Sequence, residues 1–176
     1  YRQPNASLTG PCKSPWDKNT WAGGSSSGSG SAVGTGLVPF AIGSETWGSI
    51  LSPANNCGVS GLRPTYGRVS RYGAMALSWS LDKIGPLCLS ADDCGIVLEH
   101  ISGPDAKDPS SSKNIYAYNP YMPERKFKIA ILSDATLSVD SEVSDNFQHS
   151  LQELTRFCDI EEIDLPEYPY EAITRT

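Results

Sequence analysis

GGSSSGSGSAVGTGLVPFAIGSETWGSILSP, residues 23–53, is the stretch whose reading decides the fold of this chain. It sets two serines, Ser25 and Ser49, in two glycine-rich turns on either side of one short apolar segment. Glycine lets a backbone approach a reacting atom closely. A serine hydroxyl held there, beside backbone N–H donors, is the usual raw material of acyl-transfer chemistry. Such a serine needs a proton acceptor, and the whole chain has two histidines, His100 and His149.

Two plainer explanations of the run compete with that one. GGSSSGSGS has the composition of a flexible spacer. Yet it passes without a break into Ala32-Val33 and the apolar residues 37–42, and a second glycine-serine turn follows at once. Gly24-Ser25-Ser26-Ser27-Gly28 also satisfies G-x-S-x-G, the nucleophile elbow, which requires a strand entering the turn and a histidine later in the chain. Lys18-Asn19-Thr20-Trp21-Ala22 makes a poor buried strand. Both histidines fall inside predicted helices, where a lone histidine is more often a surface or packing group. Both explanations are disfavoured.

Outside the run, 176 residues are enough for one sizeable core. The net charge of −6 is unevenly placed: residues 1–70 carry five basic and two acidic side chains, residues 71–176 nine and eighteen. No basic stripe with interleaved aromatics is present, so direct nucleic-acid binding is not expected. Asp159, Glu161, Glu162, Asp164 and Glu167 read as a solvated acidic face. Residues 19–44 carry no charge but are too rich in Ser and Gly for a membrane span. Cys12, Cys57, Cys88, Cys94 and Cys158 are odd in number and scattered, without a C-x-x-C. That argues against a disulfide framework or a zinc site and for a reducing compartment, the cytoplasm. The chain starts at Tyr1 without methionine and stops at Thr176 shortly after Leu165-Pro166-Glu167-Tyr168-Pro169, so it reads as a piece of a larger protein.

Residues 1–22 are loop-like, punctuated by Pro4, Gly10-Pro11 and Ser14-Pro15. The small residues 26–36 suit a closely packed helix start, residues 37–42 a buried strand, and residues 45–53 a turn. Residues 57–72 give short β-like pieces broken by Gly58, Gly61, Pro64 and Gly67. A helix is predicted from Ser90, with Asp92 and Asp93 in its first turn, to Gly103. Residues 127–132 predict a strand. Val143, Phe147, Leu151, Leu154 and Phe157 recur at helical spacing over residues 142–158, and their stripe is expected to pack on a sheet. Ile160, Ile163 and Leu165 suggest another strand. The fold class is α/β, a mixed sheet core flanked by helices.

The sequence GGSSSGSGSAVGTGLVPFAIGSETWGSILSPANNCGVSGLRPTYGRVSRYG closely resembles the signature of the amidase-signature family. Ser14-Pro15-Trp16-Asp17, Ser80-Leu81-Asp82-Lys83-Ile84-Gly85-Pro86 and Gly103-Pro104-Asp105 resemble further landmarks of that family in the right order. The resemblance covers a signature core of about residues 14–110 and extends more weakly through the strand–helix–strand of about residues 125–166. It implies that residues 1–176 are part of one larger amidase-signature domain, whose lysine-bearing N-terminal segment and C-terminal part lie outside the chain.

The activity implied is hydrolysis of an amide C–N bond by a Ser–cis-Ser–Lys triad. Ser49 would be the nucleophile that forms the acyl-enzyme, and Ser25, after a cis peptide bond with Gly24, the proton bridge. An upstream lysine, kept neutral by burial, would be the base. Backbone N–H groups of Thr46, Trp47, Gly48 and Ser49 would form the oxyanion hole, each donor being worth on the order of 3 kcal/mol. Ser26 and Asp82 would brace the active-site loops from behind. The resemblance implies no metal, no organic cofactor and no membrane, and a small-molecule amide as substrate.

Several residues depart from the family pattern. Lys13 and Lys18 precede Ser25 but read as surface lysines, so residues 1–176 alone are expected to hydrolyse little or no amide. Ser27 stands where glycine is usual. Trp47 replaces a commoner small residue, its indole either lining the acyl pocket or packing on the core. Leu51 stands where many members carry arginine, the A-subunits of the tRNA-dependent amidotransferases among them. Arg63-Pro64-Thr65-Tyr66-Gly67-Arg68-Val69-Ser70-Arg71-Tyr72-Gly73 is nevertheless very like the same stretch of those amidotransferases. The favoured reading is a stand-alone amidase. The alternatives are the A-subunit of a glutamyl-tRNA(Gln)/aspartyl-tRNA(Asn) amidotransferase, working with partner subunits, or a truncated non-catalytic member. Arg63, Arg68 and Arg71 are expected to tie irregular loops to the sheet.

Overall fold

The computed structural model describes residues 7–121 and 125–169. Residues 1–6 of the loop-like approach, and the segment expected after Pro169, lie outside the described residues. Two compact units emerge, Tyr1–Pro120 and Tyr121–Thr176.

The first unit is built on a three-stranded antiparallel sheet in the order β1-β3-β2, from β1 (Phe40–Glu45), β2 (Ser60–Gly61) and β3 (Lys83–Cys88). Helices α1 (Ser27–Gly34) and α2 (Leu51–Cys57) pack beside it, and Val33, Ile50, Ala54 and Leu87 close a small core. A third helix, α3 (Ala91–Ile101), starts where the sequence predicts. The Ser90 hydroxyl accepts the Asp93 N–H at 3.1 Å, with Asp92 and Asp93 in the first turn.

Three expectations need correcting. The apolar run 37–42 is not a buried strand: β1 begins at Phe40, and Phe40 and Ile42 are exposed while Gly43 and Glu45 are buried. An edge strand covered on one face buries every second side chain. The expected turn over residues 45–53 gives way to α2 from Leu51 onward, and α2 continues through Cys57. Pro53 is the third residue of that helix, within the first turn, where an N–H has no intrahelical partner and proline is tolerated. The β-like pieces expected over residues 57–72 reduce to β2 and one isolated bridge, Val69 with Ser102.

The second unit is a strand–helix–strand: β4 (Phe127–Leu132), α4 (Ser141–Leu154) and β5 (Cys158–Ile163), with β4 and β5 parallel in the register Phe127↔Cys158 to Leu132↔Ile163. The helix ends four residues before the predicted limit. The Phe157 carbonyl already accepts the Phe127 N–H at 3.2 Å, so the last apolar residues of the period belong to the return into β5. No residue of α4 is buried, and Phe147 and Leu151 are only half-buried. The stripe is thus only partly covered among the described residues.

Gly23 marks how closely the first unit is packed beside the cis turn. Its φ is +80°, and a Cβ there would lie 2.8 Å from the Ser52 carbonyl carbon and the Pro53 nitrogen. Left-handed backbone and backbone overlap together predict that Gly23→Ala destabilises the protein by about 2–4 kcal/mol. Urea unfolding checks this, and a loss below about 0.5 kcal/mol would refute the packing argument.

Candidate active site

The first turn is held by serine hydroxyls. The Gly24–Ser25 peptide bond is cis, and Ser25 is exposed just before α1. The Ser26 hydroxyl donates to the Ser44 carbonyl at 3.1 Å and accepts the Ser44 N–H at 3.2 Å. One helical turn on, the Ser29 hydroxyl donates to the Ile42 carbonyl at 2.8 Å. Ser44 and Ile42 lie two apart on β1, so their main-chain groups point to the same edge. The serines of the run therefore occupy the free edge of β1 where another strand would sit. A spacer does not do that.

The second turn, residues 46–49, runs from the end of β1 into α2 and presents Ser49, which is 5% exposed. The Ser26 N–H donates to the Ser49 carbonyl at 3.1 Å, joining the two turns through main chain. Glu45, 1% exposed, reaches past the turn, and its Oε2 accepts the N–H groups of Ile50 at 2.8 Å and Leu51 at 2.9 Å. Its Oε1 accepts from Arg63 at 3.2 Å. A buried carboxylate is tolerated only when satisfied in this way.

Asp82 and Lys83 grip the start of the same turn. Asp82 accepts the Thr46 hydroxyl at 2.5 Å, the Leu77 N–H at 2.7 Å and the Ser78 N–H at 3.0 Å, so it links the turn to residues 77–78. Burial opposes ionisation of Asp82, but these hydrogen bonds and the Arg71 charge outweigh it and hold the carboxyl below its ordinary pKa. Lys83 Nζ donates to the Thr46 carbonyl at 2.9 Å. Burial and the neighbouring Arg63 charge push the Lys83 ammonium below the usual lysine range, against the pull of Glu45 and Asp82.

The arginines tie loops together. Arg63 pairs with Glu45, and Arg68 donates to the Asn114 carbonyl at 2.9 Å. Arg71 donates to the Trp79 carbonyl, the Tyr66 hydroxyl and the Ser110 hydroxyl while stacking 4.5 Å over the Tyr66 ring. Trp47 is 74% exposed in this chain. The elbow explanation fails on structure as well. Among the described residues before Gly24 the strand pairing is an isolated bridge, Lys13 with Trp21, and a His100 ring nitrogen lies 2.8 Å from the Ile96 carbonyl of its own helix. All five cysteines are unpaired, and burial pushes the Cys88 thiol up to about 12. Among the described residues no cluster of three or more His, Cys, Asp or Glu could hold a metal ion, and no helix is long and apolar enough to cross a membrane.

Thr46, Trp47, Gly48 and Ser49 thus form one short turn with its ends fixed, and Gly24, Ser25 and Ser26 lie in the neighbouring turn. Sequence reasoning missed Glu45 and Lys83. Glu45 carried a signal, being the sole acidic residue between Asp17 and Asp82. Lys83 carried none, since its part depends on the register that sets Lys83 opposite Glu45.

A family model described as Amidase matches residues 2–173. The A-subunit of glutamyl-tRNA(Gln) amidotransferase from Helicobacter pylori strain G27 is 45% identical over 151 residues, which cover 85% of this chain and 33% of that protein. The crystal structure of the corresponding A-subunit from Thermotoga maritima is similar with a TM-score of 0.77 and 37% identity, over 88% of this chain and 35% of that one. The native peptide amidase of Stenotrophomonas maltophilia is similar with a TM-score of 0.80 and 32% identity, over 93% of this chain and 35% of that one. The chain therefore spans about a third of the length of these relatives.

The anchoring of the turn can be tested at both ends. Glu45→Ala leaves the buried Ile50 N–H and the partly buried Leu51 N–H without their acceptor and is expected to cost about 2–4 kcal/mol in urea unfolding, where a change under about 0.5 kcal/mol would contradict the anchor. Because the Asp82 pKa is lowered on folding, its contribution is fully present above the ordinary carboxyl value of about 3.9 and is lost as pH falls through the lowered one. Asp82→Asn should therefore lower stability at neutral pH and flatten the acid limb of the pH–stability curve. An unchanged acid limb would contradict this.

Proposed function

Because the chain belongs to the amidase family, we propose that it carries two catalytic groups of an amide-bond hydrolase, Ser49 as nucleophile and Ser25 as proton bridge. The observation that carries the reading is the bond from the Ser26 N–H to the Ser49 carbonyl, which sets the two serine turns side by side. The base in this proposal is a lysine outside the present 176 residues. Both compact units belong, on this reading, to one larger domain, a view supported by the family match across residues 2–173.

Ser49 Oγ attacks the amide carbonyl carbon, passing its proton to Ser25 Oγ while Ser25 gives its own to the lysine. The carbonyl electron pair moves onto oxygen, and N–H groups of residues 46–49 bind the oxyanion. Collapse breaks the C–N bond, and the amine leaves with the proton returned along the same path. Water then releases the acid by the same steps, regenerating Ser49. The substrate is a small-molecule amide and the compartment the cytoplasm, in keeping with five unpaired cysteines.

A second reading is favoured by the H. pylori relative: the A-subunit of an amidotransferase, which would take its amide from glutamine and pass on ammonia with partner subunits. Leu51, where those amidotransferases usually have arginine, weighs for the stand-alone amidase.

The test is covalent labelling of the full-length protein with a fluorophosphonate, followed by mass-spectrometric mapping and amide hydrolysis assays. Ser49 should carry the label. Ser49→Ala should lower kcat by about 10⁴-fold or more, and Ser25→Ala by about 10²–10⁴-fold. Retention of a tenth of the activity by Ser49→Ala would overturn the proposal. Ammonia release from glutamine only when partner subunits are added would favour the second reading.

A further inference from the structure

We propose that Lys83 is a positioning residue for the oxyanion turn, acting through the carbonyl of Thr46; the inference rests on the reading of Ser49 as nucleophile. Lys83 is the first residue of β3 and lies directly opposite Glu45 in the antiparallel register. Its Nζ donates to the Thr46 carbonyl at 2.9 Å, while the adjacent Asp82 accepts the Thr46 hydroxyl. Two consecutive residues at one strand end thus hold the carbonyl and the hydroxyl of Thr46. Across the strand pair, Glu45 holds the N–H groups of Ile50 and Leu51 beyond the turn. The turn is anchored at its first residue by Lys83 and after its last by Glu45, and these two anchors are cross-strand neighbours.

The carbonyl matters because a trans peptide is planar, with its C=O and N–H pointing in opposite directions. A donor that fixes the direction of the Thr46 carbonyl also fixes the N–H of Trp47, on the opposite side of the same peptide plane. That N–H is one of the proposed oxyanion donors. Without a partner for the carbonyl, the plane is free to rotate, and rotation would turn an oxygen rather than an N–H toward the developing negative charge. Lys83 therefore acts on the transition state and not on substrate affinity. Both the ammonium and the neutral amine carry N–H groups, so the hold survives the lowered pKa of Lys83.

The experiment measures kcat, KM and the rate of fluorophosphonate labelling of Ser49 in the full-length protein, with thermal unfolding run on the same samples. Lys83→Met should lower kcat and the labelling rate about 10–100-fold, since small misplacements of a catalytic donor cost up to about that much, while KM stays within about threefold. Lys83→Arg, which keeps a donor of similar reach, should recover most of the loss. If the methionine variant does not fold, Lys83→Ala, which also removes the donor, should show the same loss. Labelling of Lys83→Met at the wild-type rate would overturn the inference, as would Lys83→Arg no faster than Lys83→Met. A wild-type protein whose Ser49 takes no label would instead sink the nucleophile assignment, and the inference with it.

Discussion

A buried carboxylate holds this site together. Glu45 ends β1, and its two oxygens take the first N–H groups at the start of α2 and a guanidinium from Arg63. Burying a carboxylate costs several kcal/mol, and only charge-assisted hydrogen bonds on both oxygens offset it. The geometry that results is specific. A strand and a helix are locked at a fixed separation, and the chain between them has only residues 46–49 with which to span it. Ser49 lies at the end of that short span, a placement that suits the nucleophile proposed beneath preorganised donors.

The serine-glycine run solves a different problem, the free edge of β1. An edge strand exposes unpaired N–H and C=O groups. Here Ser26 and Ser29, one helical turn apart on α1, supply hydroxyls to Ser44 and Ile42. Small residues are needed because the helix must come close. A Cβ on Gly43 would meet the Ser26 hydroxyl at 2.8 Å, and one on Gly30 would meet Pro53 at 3.0 Å. Composition that suggests a flexible tether is, in this fold, the condition for tight docking. The same docking carries Ser25 to the side of the Ser49 turn.

Elements with strong local signals were legible in the sequence. Ser90 with Asp92 and Asp93 announced α3, and the apolar run at residues 127–132 is β4. The two serine turns could be read from residue types in order, and the resemblance pointed to Asp82, whose carboxylate accepts the Thr46 hydroxyl. What was hidden depended on partners far away in sequence. Helix α2 was masked by Ser52, Pro53, Asn55 and Asn56, a loop-like composition that a helix accepts because Pro53 lies in the first turn. Strand β3 was masked by Gly85-Pro86 in its interior. It tolerates Pro86 because β2 ends at Gly61: the Leu62 N–H still donates to the Pro86 carbonyl, and the ladder stops where the returning donor is missing. The pairing of Glu45 with Lys83 across the sheet follows from that register, which no local pattern encodes.

The central claim is that strand, helix and cross-strand anchors aim the N–H groups of residues 46–49 at one oxygen position beside Ser49. The most direct measurement is a crystal structure of the full-length protein carrying a phosphonate adduct. The account predicts the adduct on Ser49 Oγ, with its phosphoryl oxygen about 3 Å from N–H groups of this turn and the Glu45 and Lys83 contacts intact. An adduct on another residue, or a phosphoryl oxygen turned away from the turn, would contradict it.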